Sequence, residues 1–196
     1  PSGMNSYTSM TDRLFSRGIE NNLNDKILRI MTPYDDDTFN EYVSQIRSLL
    51  ERGFEFRLLT RHTKDPWEWK RLQRELLSEI KEHRDRVTVR TYSRFKQHQR
   101  VTPDIDFKKL EEFGIHGKLQ TIGNPEEGAA LLGSANFMEN SYDWNPECGV
   151  YTEQNQFVEA SIEFFDIVWD ISESDELSID RLQKLPNHKL VPTYYS

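Results

Sequence analysis

Five side chains of complementary chemistry stand in the stretch 115–151, IHGKLQTIGNPEEGAALLGSANFMENSYDWNPECGVY. On an extended strand residues two apart share a face, so His116 and Lys118 project together. Seventeen residues after His116 comes the run Gly133-Ser134-Ala135-Asn136, in which Ser134 and Asn136 again stand two apart. Asn145 and Glu147 follow, at the start of a further apolar segment. The set holds one nucleophile, one cation, two neutral polar groups and one carboxylate. Such a set suits a phosphodiester.

The requirements of phosphoryl transfer explain why. The reaction needs in-line attack, neutralised non-bridging oxygens and a proton for the departing oxygen. Lys118 offers a compact positive charge; Asn136 and Ser134 offer hydrogen bonds in a fixed frame. A neutral imidazole attacks phosphorus when an acceptor holds its other ring nitrogen, and Glu147 is a candidate acceptor. These groups can do the electrostatic work without a metal, and no cofactor is expected. Each residue also has a plainer reading: a structural histidine, a turn after a strand, a surface acid.

His116-x-Lys118, then Gly133-Ser134-x-Asn136, then Asn145-x-Glu147 resembles the HxK…GSxN…E pattern of the phospholipase D superfamily. By that resemblance His116 forms a phosphohistidine, Lys118 and Asn136 hold the phosphate, and Glu147 orients a histidine. The family usually continues HxKxxxxD; here that acidic place is Gly123, with an additional NPEEG segment after it. The branch that cleaves tyrosyl-DNA adducts is similar in lacking the acid. The family's site combines two HxK motifs about a twofold axis, and this chain has one complete set. His62-x-Lys64 is a second HxK, but no GSxN follows it. A homodimer sharing one site is therefore implied.

The elements that must position these residues follow from periodicity. Residues 26–31 (KILRIM), 54–60 and 87–92 read as strands, as do 115–122, 129–133 and 148–152. Phe39, Tyr42, Val43, Ile46, Leu49 and Leu50 repeat at helical spacing and Gly53 ends that helix. Residues 67–83 read as a charged amphipathic helix. A last helix over 155–170 is expected to turn Phe157, Val158, Ile162, Phe165 and Trp169 inward. Residues 1–25 read as an arm or one irregular helix, 26–170 as the domain, and 171–196 as a tail. The expected fold class is α/β, a mixed sheet flanked by helices in a phospholipase D-like sandwich.

Composition bounds the rest. The chain of 196 residues supports one domain with a sizeable core. A single cysteine, Cys148, excludes an intrachain disulfide and a cysteine metal cluster. Neither a signal peptide nor an apolar run of about 20 residues is present, so a cytoplasmic location and no membrane partner are expected. The formal charge is −8, yet thirteen Lys or Arg stand against six Asp or Glu between Arg57 and Arg100. That basic middle points to a phosphate-facing side. Arg61, Lys64, Arg94, Lys96 and Arg100 are the candidates for nucleic-acid phosphates, equally readable as solvated loop residues. Trp67 and Trp69 suit base stacking or a helix start. Asp35–Asp37 suits a cation or, more simply, a helix cap.

The leading expectation is a metal-independent nuclease or related phosphodiesterase, with DNA ahead of RNA as its partner. A catalytically silent module holding a phosphate-bearing ligand competes with it. A phospholipid hydrolase ranks last, since no basic membrane-binding helix stands out. Further domains of a longer chain remain open.

Overall fold

Short runs of alternating apolar residues pair into one twisted sheet, and helices close both of its faces. A computed structural model of the chain describes residues 6–33, 38–61, 80–92, 115–136 and 147–172. Its strands are β1 (Ile27–Met31), β2 (Glu55–Arg61), β3 (Val87–Tyr92), β4 (Leu119–Ile122), β5 (Ala129–Gly133) and β6 (Gly149–Thr152). Its helices are α1 (Ser6–Glu20), α2 (Thr38–Glu51) and α3 (Asn155–Ile171), and a 3-10 stretch, Lys81–Arg86, leads into β3. The six strands lie in the order β3-β2-β1-β4-β5-β6. β1, β2 and β3 run parallel, while β4, β5 and β6 are antiparallel to their neighbours. The sheet is mixed and the fold is α/β, as the sequence implied.

Side-chain alternation sorts the core into two layers. On one face Leu28, Ile30, Phe56, Leu58, Ile122 and Leu131 pack against Leu14 and Phe15 of α1 and Tyr42, Val43, Ile46 and Leu49 of α2. On the other, Met31, Leu59 and Leu119 meet Phe165 and Trp169 of α3. Gly53, at φ 90°, ends α2 in the left-handed region that favours glycine.

Three elements differ from the sequence reading. The residues before β1 form a regular helix whose Leu14 and Phe15 are fully buried. Its periodicity is weak because Thr11 and Gly18 share the buried face with them; a Cβ on Gly18 would stand 2.2 Å from Ile122 Cδ1. In α3 the buried stripe is Val158, Ser161, Phe165 and Trp169. Phe157 is 55 % exposed and Ile162 half-buried, because each residue step turns the helix by about 100° and carries both off that stripe. The strand expected over 115–122 enters the ladder only at Leu119, since β1 ends at its partner Met31. The helix expected over 67–83 up to residue 79, the acidic run at 35–37 and the tail from 173 lie outside the described residues.

One buried charge ties the sheet to α3. Arg29 on β1 is 5 % exposed and lies 3.4 Å from Asp166 of α3. Burial holds its guanidinium below the ordinary value, and Asp166 opposes that shift.

Gly123, in the place where the resembled family carries an acid, opens the β4–β5 turn. It sits at φ 76°, and a Cβ there would approach Gly128 Cα and Leu23 Cδ1 at 3.1 Å. The turn itself is a staple. Asn124 Oδ1 accepts from Glu126 N and Glu127 N at 3.0 and 3.1 Å. The Glu127 carboxylate accepts from Asn24 N, from Asn24 Nδ2 at 3.0 Å and from Asp25 N at 3.1 Å. The added NPEEG segment therefore fixes the α1–β1 connection. Gly123→Asp is expected to lower unfolding stability by about 1–2 kcal/mol through left-handed strain and crowding. Denaturant unfolding at unchanged slope measures it; an unaltered midpoint refutes the account.

Candidate active site

The motif residues converge where β4 begins and β5 ends. Leu119 pairs with Leu132, and Gly133 N donates to Lys118 O at 3.3 Å just beyond the ladder. This register sets the His116–Lys118 segment beside the Gly133–Asn136 segment. β6 then runs antiparallel to β5, with Gly133 opposite Gly149, which delivers Glu147 and Cys148 alongside Ser134.

His116 is exposed and Lys118 half-buried. The Lys118 ammonium stands 2.7 Å from His116 Nδ1, 3.5 Å from Nε2, and donates to the His116 carbonyl at 2.9 Å. An ammonium only donates, so Nδ1 is the acceptor in this contact. Burial holds Lys118 below the ordinary lysine value, and the charge of Glu147 works in the opposite direction. Between the two motif residues, Gly117 is pressed on the core. A Cβ there would stand 2.7 Å from Met31 Sδ and 3.8 Å from Phe164 Cε1.

Ser134 locks the third segment. Its N–H donates to Cys148 O at 2.9 Å, and Cys148 N–H donates back to Ser134 Oγ at 3.0 Å. The Ser134 hydroxyl donates to Glu147 Oε2. The same hydroxyl lies 3.3 Å from Cys148 O. Glu147 is held by Ser134, and its charge opposes the lowering of Lys118. Asn136 is half-buried, and its carboxamide oxygen is buried with no hydrogen-bond partner.

His116, Lys118, Ser134 and Glu147 are therefore gathered at one sheet end, with Asn136 two residues beyond Ser134. Arg61 ends β2. Lys64, Arg94, Lys96, Arg100, His62, Trp67, Trp69 and Asn145 lie outside the described residues. Sequence reasoning passed over Gly117, although a glycine between the histidine and the lysine was its signal. It also passed over Arg29, which reads as an ordinary outward charge on a strand. Among the described residues no group of three or more His, Cys, Asp or Glu is placed to hold a metal, and no helix is long and apolar enough to cross a membrane.

Residues 21–169 match the family described as "Cardiolipin synthase, PLD-like domain". The chain belongs to the phospholipase D superfamily. Membership makes it a phosphodiesterase-type domain at the level of the superfamily. Solved structures share the fold. NucT from Helicobacter pylori superposes with a TM-score of 0.61 at 13 % identity, over 86 % of this chain and 92 % of that one. Polyphosphate kinase from Porphyromonas gingivalis gives 0.57 at 14 % identity, over 86 % of this chain and 25 % of its own. TrmBL2, an archaeal chromatin protein described as showing a novel mode of DNA binding, gives 0.50 at 13 %, over 88 % and 52 %. No curated protein matches the sequence.

Because burial disfavours its charged form, Lys118 is expected to titrate below the ordinary lysine value of 10.5. Inorganic phosphate binding that depends on the ammonium is then present at neutral pH and lost as pH rises through that lowered value. Removing the neighbouring carboxylate in Glu147→Gln moves the loss to still lower pH. Titration calorimetry across pH 7–11 reads both shifts (roughly the range of lysine titration); a midpoint at or above that of a free lysine refutes the assignment.

Proposed function

We propose that this domain is a metal-independent phosphodiesterase, a nuclease, that works through a phosphohistidine on His116 in a site completed by a second copy of the chain. One observation carries the reading: an imidazole and an ammonium 2.7 Å apart at the end of the sheet, in the field of a carboxylate anchored by Ser134.

The chemistry runs in two balanced steps. A ring nitrogen of His116 attacks phosphorus, a nitrogen–phosphorus bond forms, and the bond to the leaving oxygen breaks. The second copy's imidazole gives that oxygen its proton. Water then attacks the phosphohistidine; the same second imidazole takes the water's proton, and His116 is released. Lys118 and Asn136 neutralise and orient the non-bridging oxygens as charge builds on them. An arriving phosphate competes for the ammonium that rests on Nδ1, so substrate binding itself frees the nucleophile. In this reading Glu147, held by Ser134, orients the second copy's imidazole.

Nucleic acid is the favoured substrate class, DNA ahead of RNA. The basic surplus between Arg57 and Arg100 supports it, and TrmBL2, which shares the fold, is described as binding DNA. A catalytically silent phosphate-binding module is the second reading. The constrained Gly123 in the acid's place favours it.

Cleavage of single- and double-stranded DNA, RNA and bis(p-nitrophenyl) phosphate in EDTA tests both. His116→Asn is expected to lower the rate by about a thousandfold or more, as loss of a nucleophile does. Lys118→Gln is expected to cost about a hundredfold to a thousandfold, the effect of removing one preorganised charge-stabilising group. Activity abolished by the chelator but indifferent to His116→Asn overturns the mechanism. Phosphate-induced thermal stabilisation with no turnover of any substrate favours the silent module.

A further inference from the structure

Among the described strands β6 alone has no buried residue, and it lies at an edge of the sheet. A strand without a buried face specifies its register weakly, so other contacts must decide which residue stands where. The outcome matters at the half-site, because Glu147 and Cys148 lead directly into β6. A slip of one residue would carry them about 3.4 Å along the strand.

Contacts at both ends pin the strand. At one end Ser134 and Cys148 exchange backbone and hydroxyl hydrogen bonds. At the other, α1 closes on Tyr151, whose ring packs half-buried against the core under that helix. The Arg13 guanidinium lies over the ring, 4.3 Å from its centroid, and donates to Glu153 Oε1 at 2.9 Å. The Tyr151 hydroxyl donates to the same oxygen at 2.8 Å. Arg17, four residues along α1, stands 3.6 Å from Glu153 Oε2 and donates to Glu127 O of the β4–β5 turn at 3.1 Å. α1 therefore grips β6 and that turn together.

Exposed ion pairs are individually weak, yet this clasp needs only to choose between registers that burial leaves nearly equal. A slip of one or two residues either way would bring Gly149, Val150, Thr152 or Glu153 under Arg13, and none of them carries a ring. Burial, with the bond to Glu153, pushes the Tyr151 phenol up to about 12. The hydroxyl thus remains a donor while Lys118, held below the ordinary lysine value, loses its proton. Among the described residues His116 contacts that ammonium, and Glu147 is the charge that acts on it.

We propose that Tyr151, clasped by Arg13 and Glu153, is a positioning residue that sets the register of β6 and thereby keeps the Glu147 carboxylate at the half-site. The inference rests on the reading of Lys118 as a phosphate-binding cation and adds what places its neighbouring carboxylate.

Inorganic phosphate binding by the full chain, followed by titration calorimetry across about pH 7–10, where a lowered lysine titrates, tests it. Arg13→Gln removes the cation at an exposed position, and Tyr151→Ala removes the ring. Each is expected to move the loss of binding to lower pH, the direction of Glu147→Gln. Tyr151→Phe, which keeps the ring under Arg13, is expected to retain most of the wild-type profile. In a Glu147→Gln background neither substitution should shift the profile further, since all act through one carboxylate. Should Tyr151→Ala fail to fold, Arg13→Gln gives the same readout from outside the core. Wild-type profiles in both variants, with Glu147→Gln shifted, overturn the clasp and leave the reading of Lys118 standing. Shifts that add to that of Glu147→Gln overturn the route through the carboxylate. An unshifted Glu147→Gln overturns the coupling to Lys118 and the inference with it.

Discussion

The hydrogen-bonded register between β4 and β5 is the constraint on which the site depends. Leu119 opposite Leu132 places Lys118 O within reach of Gly133 N, and so aligns two motifs separated by seventeen residues of sequence. A slip of one residue would turn every side chain of β4 to the opposite sheet face and remove Leu119 from the layer under α3. The turn between these strands resists that slip. Gly123 in its left-handed conformation and Gly128, where a Cβ would strike the Ile122 carbonyl oxygen at 2.2 Å, leave no room for rearrangement. The NPEEG insertion tightens the turn further by tying Glu127 to the start of β1.

Charge is arranged around that frame with unequal burial. Lys118 is partly desolvated, which weakens its hold on a proton and strengthens its attraction for an anion that displaces the remaining water. Glu147 restores part of the ammonium's stability while its own position is set by Ser134. The serine links strand β6 to the motif on β5. Arg29 and Asp166 form a separate charged pair under α3. Breaking such a pair on one side leaves an uncompensated buried charge, so this contact constrains where α3 lies over the sheet.

The position of α3 then shapes what is left exposed. It packs across β4 and β5 toward β3, with Trp169 stacked on Phe165 and under the Arg90 guanidinium, whose Nη1 donates to the Trp169 carbonyl at 2.7 Å. This crossing uncovers the outer part of β5 and β6 and one flank of the helix. Among the exposed apolar residues, Leu132 immediately precedes Gly133 and Phe164 lies near Gly117.

Much of this molecule was legible before any coordinates. Periods of two and 3.6 located most of the strands and α2, because apolar residues recur along the buried faces of those elements. HxK, GSxN and the following glutamate carried the superfamily, because phosphoryl transfer demands those residue types at strand ends. Tertiary structure decided what pattern does not encode. Thr11 and Gly18 broke the apolar period of α1, and close packing on Ile122 explains the glycine. Phe157 looked like core and is exposed, since the crossing of α3 selects which arc of the helix is buried. The Ser134 hydroxyl serves Glu147, and Glu147 serves Lys118, because β6 returns beside β5. Sequence determined which groups were available for chemistry, since composition and spacing are local. Which of them touch is a matter of register and helix crossing, set by contacts between residues far apart along the chain.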